Sequence, residues 1–128
     1  MVSSGVASLD HILGDDGYAD TGDTSADAIY ITGGPGMVSG NTITGSYDGV
    51  WVDAASGVSV MNNIIKGSAQ YGIALTSEPP VYSNNNKITG NFVLGSSVDD
   101  LYWDGLGTGD VWCHNIYQTS SPSVLPSC

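Results

Sequence analysis

Apolar positions recur along this chain in two linked patterns. The first is Val38-x-x-Asn41-x-Ile43-x-Gly45, which returns as Val60-x-x-Asn63-x-Ile65-x-Gly67 and as Ile88-x-x-Asn91-x-Val93-x-Gly95. A degenerate copy, Trp112-x-x-Asn115-x-Tyr117-x-Thr119, follows these, and Ala7-x-x-Asp10-x-Ile12-x-Gly14 precedes them with Asp in the Asn position. The second pattern is a pair of apolar residues spaced by two after each of the first four copies: Ile29/Ile31, Val50/Val52, Ile73/Leu75 and Leu101/Trp103. Spacing by two is that of a strand with one buried face, so each repeat predicts three short strands.

Measured on the Asn position (10, 41, 63, 91, 115), successive repeats lie 31, 22, 28 and 24 residues apart. The excess falls in two segments, 15–27 and 77–86, which read as loops inserted into a coil of about 22 residues; residues 118–128 read as a C-terminal tail. Short β-branched strands punctuated by Gly and Asn suit a parallel β-solenoid, whose coils pair at about 4.8 Å. The expected fold is therefore all-β, a single domain over residues 1–128 with four to five coils of three strands. Its core would consist of columns: Val38, Val60, Ile88 and Trp112; then Ile12, Ile43, Ile65, Val93 and Tyr117; then the paired third strand. Asn41, Asn63, Asn91 and Asn115 would stack at one corner, where Asn tolerates the left-handed conformation and its amide can bond to the next rung.

Asn-x-Ile-x-Gly followed by Gly49-Val50-x-Val52 or Gly72-Ile73-x-Leu75 resembles the right-handed parallel β-helix repeat proteins of the pectate-lyase-like superfamily, over roughly residues 7–119. The stretch from Trp112-Cys113 to Cys128 is similar to the terminal coil and tail of bacterial members. The resemblance implies a right-handed helix and a polysaccharide partner along one sheet. Members of the family include lyases, hydrolases, epimerases and surface proteins, so the repeat specifies the fold rather than the reaction. Asp99-Asp100 matches one element of the polygalacturonase signature, while its Asn-Thr-Asp, Gly-His-Gly and Arg-Ile-Lys elements are missing; a lyase of this type commonly uses an arginine base, and the chain has none. Members usually carry more coils, which makes this chain resemble the C-terminal coils of a longer helix. An uncapped first coil would expose unpaired backbone groups, so a homo-oligomer through that end is the competing structural reading.

Charge narrows the partners. Thirteen acidic residues stand against two lysines, for a net charge of −11. Such an excess argues against nucleic acid and anionic membrane surfaces, and the longest apolar run is far shorter than the ~20 residues of a membrane span. Only 12% of residues are charged and 41% are hydrophobic, a composition that folds. Cys113 and Cys128 are expected to form a disulfide, which weakly favours a secreted or cell-surface protein; the alternative is two free thiols, with Cys128 on a frayed tail.

In the third strand the residues between the core pairs point outward: Tyr30, Trp51, Ala74 and Tyr102. Asp27, Asp48, Tyr71 and Asp99 precede them, with Asp100 beside the last, and Thr32, Asp53, Thr76 and Asp104 follow. An aromatic ring packs the C–H face of a sugar while carboxylates take its hydroxyls. Tyr30, Trp51 and Tyr102 are therefore the expected glycan platform, with Asp53 and Asp104 as polar contacts; ordinary sheet-surface aromatics or an assembly contact are the alternatives. Any catalytic carboxylates would come from Asp27, Asp48, Asp99 and Asp100, since coils one or two apart place them about 5 or 10 Å from each other, near retaining and inverting separations.

The segment 14–27 holds Asp15, Asp16, Asp20, Asp23 and Asp27 among glycines, a composition suited to Ca²⁺, though without a recognised loop spacing. A solvated acidic loop is the plainer alternative. His11, near that loop, suggests a small metal-dependent hydrolase as a further reading. Cys113 beside His114 could be a thiolate nucleophile, but neighbouring strand residues face opposite ways. An ice-binding face would need Thr ranks, and Thr42 and Thr44 are followed one coil on by Ile64 and Lys66.

Overall fold

The computed structural model describes residues 27–128 and, for the backbone alone, 5–8 and 11–13. The remaining N-terminal residues, among them Asp10, Asp15, Asp16, Asp20 and Asp23, lie outside the described residues, as does the side chain of His11. Apart from Asp27, the expected loop at residues 15–27 and its cation site therefore lie outside the described residues.

Strands succeed one another in sets of three: β1 (Gly5–Ser8), β2 (His11–Leu13) and β3 (Ile29–Gly33), then β4 (Gly36–Ser39), β5 (Thr42–Thr44) and β6 (Val50–Ala55). The next coils hold β7 (Val58–Met61), β8 (Ile64–Lys66) and β9 (Tyr71–Thr76), then β10 (Lys87–Thr89), β11 (Phe92–Leu94) and β12 (Asp99–Trp103). A last, partial coil holds β13 (Val111–Cys113) and β14 (Ser120–Ser121). Every named strand pairs in parallel with its counterpart one coil away, giving sheets ordered β1-β4-β7-β10-β13, β2-β5-β8-β11 and β3-β6-β9-β12-β14. The chain is an all-β parallel β-helix.

The expected columns are the observed ones. Val38 pairs with Val60, Val60 with Ile88 and Ile88 with Trp112. Ile12, Ile43, Ile65 and Val93 form the second rank; Ile29, Val50, Ile73 and Leu101 begin the third. All of these described side chains are buried and form one continuous core. Tyr117 departs from expectation: it is 38% exposed, and β14, the strand that follows it, joins the third sheet instead of covering it.

The Asn corner is a hydrogen-bonded ladder. Asn63 Oδ1 accepts both the backbone N–H and the side-chain amide of Asn41, at 2.9 and 3.0 Å. Asn91 Oδ1 does the same for Asn63, and Asn115 Oδ1 for Asn91. Each rung thus satisfies donors that a buried turn would otherwise strand. The left-handed residue is the one before each rung, not the rung itself: Gly40, Asn62, Gly90 and His114 have φ between 56 and 70°. A second ladder, absent from the sequence reading, joins Asn86 to Asp110, whose Oδ1 accepts the Asn86 N–H and amide.

At the C-terminal end the tail folds back over the last coil. Leu125 joins the core, the Trp112 N–H donates to the Pro126 carbonyl at 2.7 Å, and Cys113 is disulfide-bonded to Cys128. This covers apolar surface that the final coil would otherwise leave open.

Candidate functional site

The third sheet carries the chemistry on its outer face because its strands alternate: in β6, Val50 and Val52 are buried while Trp51 points out. Gly49 and Gly72 precede the core pairs at corners where a Cβ would meet the next coil: Gly72 O and Ile65 for Gly49, Val93 and Asp100 O for Gly72. Those glycines let successive coils close up, which keeps the outward residues in strict ranks. Tyr30 pairs with Trp51, Trp51 with Ala74 and Ala74 with Tyr102, so the expected stripe is in register.

Within that stripe Ala74 is the gap. Trp51 and Tyr102 flank it one coil to either side, and the rings group into two pairs: Tyr30 with Trp51 at 4.8 Å between centroids, and Tyr71 with Tyr102 stacked at 4.4 Å. Between the pairs lies a cleft of about 340 Å³ lined by Asp27, Tyr47, Asp48, Trp51, Gln70, Tyr71, Ala74 and Thr76. The Tyr71 ring was not part of the expected platform, because its place in the preceding rank gave no sign that it leans along the sheet onto Tyr102. Tyr47 and Gln70, both on corners, carried no repeat signal.

The expected carboxylates divide by what they bond to. Asp53 is 2% exposed; its Oδ2 accepts the Tyr30 hydroxyl and its Oδ1 the Thr76 hydroxyl, while Thr76 Oγ1 accepts the Trp51 indole N–H at 2.8 Å. Asp53 therefore fixes the orientation of both aromatic residues. Just beyond it the β3–β6 register slips by one residue at Ala54, a bulge with φ of 47° that ends the flat rank. Asp100, 1% exposed, accepts the N–H groups of Ser96, Gln118 and Thr119. Asp104 accepts those of Ser77 and Leu106. Both hold loops, and neither lines the cleft.

Asp27 and Asp48 do line it. Asp27 Oδ1 accepts the Asp48 N–H at 3.3 Å, and Asp48 Oδ1 accepts the Tyr71 N–H at 2.9 Å. Burial pushes the Asp48 carboxyl up to about 6, with the charge of Asp27 adding to the rise; burial also raises Asp27. Asp99 is the register partner of Tyr71, and so continues the rank of Asp27 and Asp48 at the far side of the Tyr71 ring. Burial raises the Tyr71 hydroxyl, and the charges of Asp48 and Asp99 push it in the same direction.

Other singled-out residues are elsewhere. Lys66 and Lys87 sit exposed on the other two sheets, Lys66 Nζ lying 5.7 Å from the Phe92 ring centroid. His114 is exposed, with Nε2 4.0 Å from the Cys128 sulfur, and Cys113 is taken up by the disulfide. Among the described residues, no group of three or more His, Cys, Asp or Glu side chains is placed to hold a metal ion.

The right-handed beta helix region family matches residues 12–115. The chain belongs to that family. The match spans all four rungs of the Asn ladder and strands β3, β6, β9 and β12 of the third sheet. No curated protein and no solved structure matches the chain.

Proposed function

We propose that this β-helix binds a glycan across the outer face of its third sheet, over Ala74 and between the two aromatic pairs. The observation that carries this reading is the combination of an aromatic-walled opening with carboxylates at one end of it. Trp51 presents a ring held by Thr76, a rigid apolar surface for the C–H face of a sugar. Asp27, Asp48 and Gln70 supply hydrogen-bonding groups beside it. The Cys113–Cys128 disulfide supports a secreted or cell-surface setting.

The same geometry accommodates polysaccharide processing. Asp27 and Asp48 stand one coil apart at the edge of the cleft, and the raised Asp48 keeps a proton in weakly acidic solution, as a general acid requires. Affinity electrophoresis against a panel of soluble polysaccharides tests binding: at least one retards the wild type, and Trp51→Ala abolishes the retardation while the unfolding midpoint barely moves. Equal retardation of both proteins contradicts the reading. Reducing-end release from the retarding polysaccharide, lost in Asp48→Asn, tests processing.

A further inference from the structure

We propose that the cleft selects amino sugars, seating the ammonium group against the Asp27–Asp48 pair while the pyranose ring lies on Trp51. This rests on the glycan reading above and adds the class of sugar.

Among the described residues, every formally charged side chain lining the cleft is a carboxylate. Asp48 is 4% exposed and still reaches the lining, so the end of the cleft places a nearly dehydrated acidic group against the ligand. The chain contains no arginine, and its two lysines stand on β8 and β10, in the other two sheets. No lysine or arginine side chain therefore compensates the pair. A uronic acid would add a further carboxylate to uncompensated like charges, a repulsive arrangement at close range in a poorly hydrated site. A neutral hexose offers hydroxyl donors but no charge to oppose the carboxylates. A protonated amine favours the ionised form of the pair, and its three N–H donors suit the carboxylate lone pairs left by the bonds from the Asp48 and Tyr71 N–H groups. The neighbouring rings favour the same charge, since Trp51 and Tyr71 also line the cleft and a cation is attracted to their faces.

The cleft, at about 340 Å³, is of small-molecule size, so selection acts on one sugar unit of a chain rather than on a whole oligomer. That separates it from the general attraction of a −11 protein for any polycation, which would be indifferent to the ring.

Isothermal titration at pH 6 and physiological salt tests the proposal, using the glucosamine hexamer, cellohexaose, a galacturonate hexamer and tetralysine. The expected result is that the glucosamine hexamer binds at least tenfold tighter than cellohexaose, and that the galacturonate hexamer and tetralysine bind more weakly than either. In Asp48→Asn, and independently in Asp27→Asn should the first fold poorly, the preference over cellohexaose shrinks to within about twofold. Trp51→Ala weakens both sugars. Trp51-dependent binding in which cellohexaose or galacturonate equals or exceeds the amino sugar overturns the amine selection and leaves the glycan reading standing. Tetralysine binding as tightly as the amino sugar also overturns the selection, reducing it to charge alone. Absence of Trp51-dependent binding to any sugar overturns both.

Discussion

The backbone N–H of Asp48 donates to Oδ1 of Asp27 across one coil, at 3.3 Å. The contact brings two carboxyl groups together at the end of an aromatic cleft, where burial raises both above their ordinary value, Asp48 to about 6. The native protein thus holds more protons at this pair than the unfolded chain does between roughly pH 4 and 6. A raised acid contributes stability that is fully present below its unfolded value and is lost as pH rises through its folded one.

The unfolding midpoint is therefore expected to fall by several degrees between pH 4.5 and pH 7. General repulsion within a chain of net charge −11 has the same sign, so the variant isolates the pair: Asp48→Asn should have a visibly shallower slope and a higher midpoint at pH 7 than the wild type. Thermal scans in a pH series decide this. A wild-type midpoint that rises with pH contradicts it.

Asn63 is the acceptor for two donors of Asn41 and itself donates to the Val38 carbonyl and to Asn91 Oδ1. Asn63→Ala removes that acceptor and leaves buried donors to find others, at a cost of about 2–4 kcal/mol given typical penalties for an unmet buried hydrogen bond. Urea denaturation measures it. Asn115→Ala, on the partly buried last rung, should cost less.

The Cys113–Cys128 disulfide anchors the tail that lays Leu125 on the core. Closing a loop of about 15 residues stabilises by about 3 kcal/mol, so reduction should lower the urea midpoint by a corresponding amount. Hydrogen exchange should speed first at Trp112, whose N–H donates to Pro126.

Ala74 is the smallest residue in its outward rank, and its place between Trp51 and Tyr102 opens the cleft. Ala74→Leu should fill that opening and remove retention of the retarding polysaccharide in affinity electrophoresis. The circular dichroism spectrum should keep its β signature, because the added atoms extend outward from the sheet.

Most of the fold was legible because a β-helix repeats its core in the sequence. Val60 and Ile88 sit at equivalent positions of their repeats, and they pair in space. What the period could not reveal was where chain ends and corners lead. Tyr117 matches its column yet is exposed, the strand after it having joined another sheet. The left-handed corner precedes Asn41 and its counterparts, a position filled by Gly, Asn or His, so no single residue type announced it. The Asn86–Asp110 ladder mixes two residue types and was hidden for the same reason.

The candidate site was legible as a rank of residues but not as a division of labour. Asp48, Asp53, Asp100 and Asp104 all fall beside the aromatic strand in the sequence. Only coordinates distinguish Asp48, which lines the cleft, from Asp53, which orients Tyr30 and, through Thr76, Trp51. Outward register permits a carboxylate to meet either a ligand or a neighbouring coil's N–H, and side-chain reach settles which.

Nuclear magnetic resonance titration with the glucosamine hexamer, cellohexaose, the galacturonate hexamer and any polysaccharide that retards the protein tests the central claim most directly. Glycan binding on the third sheet predicts that the Ala74 methyl and the Trp51 indole N–H shift together along one saturation curve with at least one of these sugars, while Ile43 and Ile65 methyls stay fixed. Shifts centred on β5, β8 and β11, or none at Ala74 with any of them, would contradict it.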